Sequence, residues 1–441
     1  MQDRPYKTAQ RIVSAAGLAL MALLFVLWAR RAHPTAPELA AALLCVTLFT
    51  LVCLRFVPQW FFFWFGNESP AAREGDHRRL PVLFLSGVFY GLFNLEAVYA
   101  ALRYVNPLIS FADFKAFWTS ADAYHYLCIA EDWYLSEGIL DRLVQLVFLP
   151  GYPIAVRLMH LLVPDYIFAG ILVSTICFSG ALCVLYLLLC LDYEERTARR
   201  ALLFLCLMPG AFFFFAPMSE SLFLLLCVSC VYCARKEKWL LAGFFGALAA
   251  FTRSLGLMLF VPLFFEIAAQ LLHGNKKARR GAAALLLVPL GFAAYCFINY
   301  RVAGNPFQFM IYQREHWSQQ LGLFFNTAAY QTRYALHANR EMLMGLWLPN
   351  LAAIFGALLI LLFGVKRLRP SYTAWALAYF VIAIGATWLL SAPRYLAALP
   401  PLPISLAALG ERKAVRIPLL VLFALAELYY LVMFALRCNV W

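Results

Sequence analysis

Charged side chains are scarce in this sequence. Only 13% of its 441 residues are Asp, Glu, Lys or Arg, whereas 64% are hydrophobic and the mean hydropathy is +0.76. A soluble domain of this length has no core large enough to bury so much apolar surface. The shortage of charge therefore excludes a soluble globular protein. It predicts an all-α, polytopic membrane protein, because helices satisfy their own backbone hydrogen bonds inside lipid.

Recognisable metal-ligand spacings are also missing. The 12 cysteines lie mostly inside apolar segments, where cysteine behaves as a small hydrophobic residue. Cys227, Cys230 and Cys233 form a C-x2-C-x2-C run, yet neither a fourth ligand nor a nearby histidine accompanies it. A structural role is therefore favoured over an iron–sulfur cluster. We expect no metal and no cofactor.

The net charge of +13 comes largely from basic residues in short connecting loops. Such loops follow the positive-inside rule of membrane proteins, so they do not indicate a nucleic-acid partner. The recurrent basic groups are Arg196, Arg199 and Arg200; Arg235, Lys236 and Lys238; Lys276, Lys277, Arg279 and Arg280; Lys366, Arg367 and Arg369; and Arg412, Lys413 and Arg416. Placing all of them in the cytoplasm predicts about eleven to thirteen transmembrane helices, with the N-terminus inside.

The same count predicts the domain organisation. Residues 1–80 form a two-helix N-terminal extension, and residues 81–441 form the transmembrane core. The largest external loops are 104–165 and 301–345. The first of these contains the stretch 111–153, where acidic and aromatic residues are concentrated. Its acidic residues are Asp113, Asp122, Glu131, Asp132, Glu137 and Asp141.

Asp122 and His125 are three residues apart in this stretch, so they share one face if it is helical. A carboxylate beside an imidazole suits a general base with a partner that orients it or binds an acceptor. An ordinary ion pair on a solvated loop explains the two residues equally simply. Both interpretations stay open on the residues alone.

Three more ionisable residues occupy breaks between apolar segments on the same predicted side. Glu220 follows Pro217 at such a break, and an ionisable group close to hydrocarbon indicates function, although it also suits a helix cap. Arg253 and Arg394 occupy similar breaks. Arginines at a membrane boundary are suited to hold a phosphate, and the alternative is contact with lipid headgroups.

The run Asp122 to Ala130 resembles the W-D-x-x-H-[FY]-x-x-I-A signature of the glycosylphosphatidylinositol mannosyltransferase II family and its bacterial relatives. That family belongs to the GT-C class of membrane glycosyltransferases. Over residues 90–410, further similar elements follow in the family's order: Phe148 to Pro153, Pro217 to Phe223, Thr252-Arg253-Ser254, Gly304-Asn305-Pro306 with Gln313 and Trp317, and Pro393-Arg394-Tyr395. Two positions depart from the signature: Ala121 replaces its Trp, and Trp133-Tyr134 replaces its Gly-Tyr.

The resemblance implies a GT-C type helix bundle that moves a sugar, with mannose as the family expectation, from a polyprenyl-phosphate-linked donor to a lipid or glycan acceptor. Asp122 would be the general base, with Asp113 in reserve, and direct attack would invert the anomeric carbon. Arg253 and Arg394 would hold the donor phosphate. The expected substrate-binding residues are His125, Asp113, Tyr124, Tyr126, Tyr152, Glu220 and Gln313, and Trp118 offers a further ring.

No D-x-D motif occurs in the stretch 111–153, which argues against a nucleotide-sugar donor and an obligatory metal. The compact loops favour a bacterial plasma membrane with the active site facing outward. Two alternatives remain. A transporter or flippase of lipid-linked saccharides would carry ionisable residues deep in its spans, where Glu96, Glu266 and Glu427 are the main examples. A non-catalytic subunit that binds the carrier lipid would keep the arginines without needing Asp122.

Overall fold

The computed structural model describes residues 4–66, 74–134 and 144–440. Within these ranges the chain is helical, and its one β-bridge joins Leu321 to Ala386. The first helices are α1 Arg4–Ala32, α2 Ala36–Phe65, α3 Leu80–Val105, α4 Phe111–Phe117, α5 Asp122–Asp132, α6 Gly151–His160, α7 Tyr166–Cys190, α8 Glu195–Cys206 and α9 Glu220–Arg235. The remaining helices are α10 Trp239–Thr252, α11 Phe260–Leu272, α12 Gly281–Ala303, α13 Gln308–Trp317, α14 Phe324–His337, α15 Arg340–Gly364, α16 Pro370–Ile384, α17 Ala392–Ala397, α18 Pro401–Leu409 and α19 Lys413–Ala435.

The all-α fold with multiple membrane-spanning helices is confirmed. In the described ranges, eight helices are long and apolar enough to cross a membrane: α1, α2, α3, α7, α11, α12, α15 and α19. Local signals fix several of their ends. Glu38 reaches back to the N-terminus of α2, where its carboxylate accepts hydrogen bonds from the Thr35 backbone N–H at 2.9 Å and hydroxyl at 2.7 Å. Asp165 accepts hydrogen bonds from the backbone N–H groups of Ile167 and Phe168 at the start of α7.

The other five predicted crossings are present as helices too short for a straight span. They are α8, α9, α10, α16 and α18, of 12, 16, 14, 15 and 9 residues. At a rise of about 1.5 Å per residue, none of them crosses about 30 Å of hydrocarbon alone. Their ends lead into non-helical backbone. Such backbone is tolerated at membrane depth where protein covers it or where it lines a polar cavity.

The N-terminal extension packs on the core. Trp28 of α1 donates an indole hydrogen bond to the Asn326 side chain of α14 at 2.8 Å. Phe49 of α2 packs against Phe324 of α14, with 4.6 Å between the ring centroids. The boundary at residue 80 stays a prediction from the sequence.

The loops that the positive-inside rule placed together are close in space. Arg235 pairs with Asp192 at 2.5 Å, and Arg369 pairs with both Asp192 at 3.2 Å and Glu266 at 2.6 Å. These four buried side chains, which we call the basic-loop cluster, connect the ends of α7, α9, α11 and α16. The residues predicted on the opposite side gather separately, around Asp122. The sequence-based grouping of the loops thus matches their spatial grouping.

Candidate functional site

Asp122 is the first residue of α5, and its position is fixed by unusual backbone on either side of the helix. Ala121 precedes the helix with φ 53°, and Trp133 follows it with φ 63°. Both values lie in the left-handed region that favours glycine. The two residues that depart from the family signature are therefore the two that bend the chain into and out of α5.

The breaks between the short helices place the other charged residues beside Asp122. Glu220 begins α9 after the 3₁₀ helix Ala211–Phe215, and Arg253 joins α10 to the 3₁₀ helix Ser254–Leu259. Arg394 lies in α17, the six-residue helix between α16 and α18. These segments are far apart in sequence, so only the helix packing brings their side chains together.

The four residues form a charge-balanced cluster, which we call the Asp122 cluster. Arg394 donates a hydrogen bond from Nη2 to Asp122 Oδ2, and its Nε lies 3.1 Å from Glu220 Oε1. Arg253 Nη1 donates to the same Glu220 oxygen and to Ser219 Oγ, the latter at 3.0 Å. Because two guanidinium groups face two carboxylates, the buried charges neutralise one another, which offsets their loss of hydration.

Aromatic rings surround the two arginines. The Tyr395 ring centroid lies 5.0 Å from the Arg253 guanidinium and 5.5 Å from that of Arg394. The Phe213 ring covers Arg394 at 5.5 Å, and these cation–π contacts stabilise guanidinium groups away from water. Tyr126 extends the polar network, since its hydroxyl is 2.9 Å from Ser219 Oγ.

Asp122 is the most accessible carboxylate of the cluster. Its side chain is 28% exposed, whereas that of Glu220 is 2% exposed. Burial alone would raise the pKa of Asp122, but the Arg394 charge and hydrogen bond, with smaller contributions from His125 and Arg253, hold this pKa below the ordinary value. Asp122 is therefore ionised at neutral pH.

A polar cavity of about 200 Å³ opens onto the cluster. Asp122, Arg253 and Arg394 line it, whereas Glu220 lies behind the arginines. The other lining residues are Tyr126, Val147, Phe148, Leu149, Thr252, Ser254, Leu255, Gln313, Trp317, Gln319, Trp388, Leu390, Ser391 and Tyr395. The cavity thus has an ionised carboxylate and two guanidinium groups in contact with its interior.

Comparison with known proteins gives one distant similarity. The chain matches no protein-family model and no curated protein. A solved structure that it resembles is the archaeal oligosaccharyltransferase AglB from Archaeoglobus fulgidus, in complex with an inhibitory peptide and a dolichol-phosphate. The identity is 11% and the TM-score is 0.38, and the match covers 89% of this chain and 56% of that chain.

The predicted site residues fall into two groups. The cavity brings Asp122, Tyr126, Arg253, Arg394 and Gln313 together, with Glu220 directly behind the arginines. His125, one turn along α5 from Asp122, does not line the cavity. Its ring stacks on Phe148, with 4.6 Å between centroids, so that it supports a cavity wall.

Four other predicted residues have different surroundings. Asp113 lies outside the cavity and accepts hydrogen bonds from the Ser110 backbone N–H and hydroxyl at 3.1 and 2.7 Å, which caps α4. Tyr152 and Trp118 are buried in the helix packing, at 0% and 2% exposure, and Tyr124 is exposed away from the cavity. Glu137 and Asp141 of the acidic stretch lie outside the described residues.

Other cavity residues were not predicted from the sequence. Trp388 and Gln319 line the cavity, and Ser219 joins Tyr126 to Arg253. Trp388 lies in the non-helical segment six residues before Arg394, and Gln319 lies two residues after Trp317. Polar and aromatic residues next to helix-breaking segments were the available signal, but several such positions occur in the chain.

A second, apolar cavity of about 540 Å³ lies on the other side of α17. Pro393 and Leu396 of α17 line this apolar cavity, whereas Arg394 and Tyr395 line the polar one. Its remaining walls come from the ends of α8 and from α15, α18 and α19, and they are almost entirely aliphatic and aromatic. One short helix thus separates an apolar cavity from a charged one.

Proposed function

We propose that this protein is a membrane glycosyltransferase of the GT-C class. It transfers a sugar, with mannose the first choice, from a polyprenyl-phosphate-linked donor to an acceptor hydroxyl, with inversion at the anomeric carbon. The observation that carries the proposal is the Asp122 cluster: an ionised, partly exposed carboxylate and two buried guanidinium groups at one polar cavity. The family resemblance of the surrounding motifs supports the same class.

The proposed reaction makes one demand on each kind of charge. Asp122 accepts the proton of the acceptor hydroxyl as its oxygen attacks C1 of the donor sugar. The bond between C1 and the phosphate oxygen breaks, and its electron pair leaves with the polyprenyl phosphate. Arg394 and Arg253 stabilise the negative charge that develops on this phosphate, so no strong general acid is needed.

The arginines of the cluster are already paired with carboxylates, which refines the role expected for them. Arg394 contacts Asp122 and Glu220, and Arg253 contacts Glu220. A donor phosphate at this site shares or replaces the Asp122 contact of Arg394. Glu220 keeps both guanidinium groups in place during this exchange, because its buried carboxylate contacts both of them.

The apolar cavity supports a lipid-linked donor. It adjoins the polar cavity across α17, and its lining gives an isoprenoid chain an environment free of charge. A donor whose phosphate contacts Arg394 can place its lipid chain against Pro393 and Leu396 of the same helix. A water-soluble nucleotide sugar has no use for this second cavity.

The test is transfer of label from a radiolabelled polyprenyl-phosphate hexose in membranes and with the purified protein. We expect Asp122→Asn to abolish transfer, with activity reduced at least about 100-fold, because the acceptor loses its base. Asp113→Asn, outside the cavity, is the control and should retain activity. Near-normal turnover by Asp122→Asn in protein of unchanged thermal stability would rule out Asp122 as the base.

A transporter remains the second candidate, and two of its expected features have structural explanations. Glu266 belongs to the basic-loop cluster, where Arg369 and Ser371 bind its carboxylate. Glu427 accepts hydrogen bonds from backbone N–H groups of residues 210–212. Both acidic residues therefore stabilise helix packing. The same assay separates the two functions, because a transporter moves the labelled lipid without transferring the sugar covalently.

A further inference from the structure

The polar cavity has a second group of lining residues beside the charged ones. Gln313, Trp317, Gln319 and Trp388, which we call the amide–tryptophan rim, come from the C-terminal end of α13 and from two non-helical segments. Both indoles are half-buried. The proposed transfer reaction uses the charged residues and leaves this rim without a role.

Backbone pairing holds the two non-helical segments together. Gly322 N donates to Gly385 O at 2.6 Å, and Thr387 N donates to Gln320 O at 2.8 Å, on either side of the Leu321–Ala386 bridge. Trp388 follows this paired backbone directly. Its position in the rim is therefore set before any ligand binds, which lowers the entropic cost of binding.

Side-chain contacts hold the rim in the same way. Gln313 Nε2 donates to Gln319 Oε1, and Gln319 Nε2 donates to the Trp388 carbonyl at 3.0 Å. The Trp388 ring stacks on Tyr330, with 6.0 Å between centroids. Within the described part of the chain, the Gln313 side-chain oxygen receives no hydrogen bond, so it is available to a ligand.

The rim lies next to the helix that begins at Asp122. Trp317 meets the Phe148 ring at 5.9 Å and the His125 ring at 6.1 Å, both at steep angles. His125 is one turn from Asp122 on α5. A molecule bound at Trp317 is therefore on the side of the cavity where the proposed base accepts a proton.

We propose that the amide–tryptophan rim binds a saccharide acceptor, so that the attacking hydroxyl belongs to a sugar ring. This inference rests on the proposed glycosyl transfer. A pyranose ring has a C–H face with partial positive charge, which suits the negative face of an indole, and hydroxyls that suit a side-chain amide. A simple lipid alcohol needs neither group. The rim selects the acceptor, and the Asp122 cluster performs the transfer.

The transfer then balances as follows. The sugar hydroxyl of the acceptor forms a bond to C1 of the donor sugar and gives its proton to the Asp122 carboxylate. The C1–O bond to phosphate breaks, and polyprenyl phosphate leaves with the electron pair. The product is a glycoside lengthened by one sugar, and deprotonation of Asp122 by solvent restores the site.

The experiment compares two acceptors with the same alkyl chain, n-octyl hexopyranoside and n-octanol, using full-length protein in lipid nanodiscs and a radiolabelled polyprenyl-phosphate hexose. We expect the glycoside to be the better acceptor. Trp388→Ala and Trp317→Ala should each raise the KM for the glycoside about fivefold, the effect of losing one ring face. The KM for the donor should stay unchanged. Trp388→Phe retains a ring face and should restore most of the affinity.

Tyr104→Ala is the matched control, because this aromatic side chain is 90% exposed and lies outside the cavity. Equal use of octanol and glycoside, or an unchanged glycoside KM in both Trp→Ala variants, would overturn the inference while leaving glycosyl transfer intact. If no label leaves the donor in any reaction, the proposed function fails instead. Calorimetric titration with the glycoside then decides the inference alone. Weaker binding by both Trp→Ala variants than by Tyr104→Ala supports the rim, and equal binding refutes it.

Discussion

At the scale of single residues, the pairing of Asp122 with Arg394 determines how the site responds to pH. The Arg394 charge keeps the pKa of Asp122 below that of an ordinary carboxyl group, about 3.9. A group with a depressed pKa contributes stability that is complete above its unfolded pKa and is lost as the pH falls through its folded pKa. The base form of Asp122 therefore persists into acid, where an unpaired aspartate becomes protonated.

Replacing Arg394 tests this pairing. Arg394→Gln should reduce kcat about 100-fold, because charge stabilisation of the leaving phosphate is lost, and should move the acidic limb of the rate profile to higher pH. The measurement is kcat/KM across the acidic range. Arg253→Gln removes a more distant charge that contacts Glu220 directly, so its acidic limb should move less. Identical limbs in both variants and the wild type would show that Asp122 is not the group that titrates.

A second residue-scale prediction concerns the strained backbone before Asp122. Ala121 adopts φ 53° and ψ −139°, a conformation that glycine adopts without steric cost. Ala121→Gly should therefore stabilise the protein by about 1 kcal/mol, observed as a higher Tm in detergent. Ala123→Gly, one turn into α5 at a buried helical position, should lower the Tm by a similar amount. A lower Tm for Ala121→Gly would mean that the Ala121 methyl group packs favourably enough to outweigh the strain.

At the scale of helices, the sequence predicted the apolar segments well because their length and charge punctuation follow from the thickness of a bilayer. All of them are found as helices at the predicted places. Which charged residues meet in the breaks was harder to predict. Glu220, Arg253 and Arg394 could be singled out by their positions, but their pairing depends on side-chain packing between helices distant in sequence. Trp388 had no distinguishing local pattern.

The aromatic residues show the same limit. Trp118 and Tyr152 were expected to face a sugar because they lie in the acidic stretch, yet both pack inside the helix bundle. Trp317, half-buried, lines the cavity with its ring. Composition indicates that aromatics are available to a site, and only the helix packing determines which ring is accessible.

The C-terminal helix α19 fixes the segment that precedes Glu220. Glu427 accepts hydrogen bonds from the backbone N–H groups of Gly210 at 2.7 Å, Ala211 at 3.3 Å and Phe212 at 2.9 Å. Gly210 has φ 93°, and a β-carbon there would lie 3.3 Å from the Arg394 backbone nitrogen. This contact therefore sets the distance between the break at residue 210 and α17.

Glu427→Gln should lower the Tm by several degrees, because one amide oxygen cannot replace two carboxyl oxygens and its NH₂ group faces buried N–H donors. Loss of such contacts costs about 1–3 kcal/mol. Glu96→Gln is the control, since Glu96 is exposed on α3 and should be replaceable without loss. Equal Tm values for both variants and the wild type would show that Glu427 does not stabilise the segment 210–212.

At the scale of the whole molecule, the two cavities and the helix between them make a prediction about the donor. Gly356 of α15 lines the apolar cavity, and a β-carbon added there would meet no atom within 4 Å. A leucine at this position therefore fills part of the cavity without displacing the surrounding helices. The change also favours the helix itself, since glycine costs about 1 kcal/mol relative to better helix formers.

Gly356→Leu should raise the KM for a donor with a long polyprenyl chain about tenfold, because the leucine occupies space that the chain needs. A donor with a chain of a few isoprene units should be affected much less, and kcat at saturation should be unchanged for both. Gly17→Leu is the matched control, because Gly17 of α1 also has no atom within 4 Å of an added β-carbon and lies outside the cavity. If Gly356→Leu treats long and short donors alike, the lipid chain binds elsewhere. The Asp122 cluster would then have to bind its donor phosphate without help from the apolar side of α17.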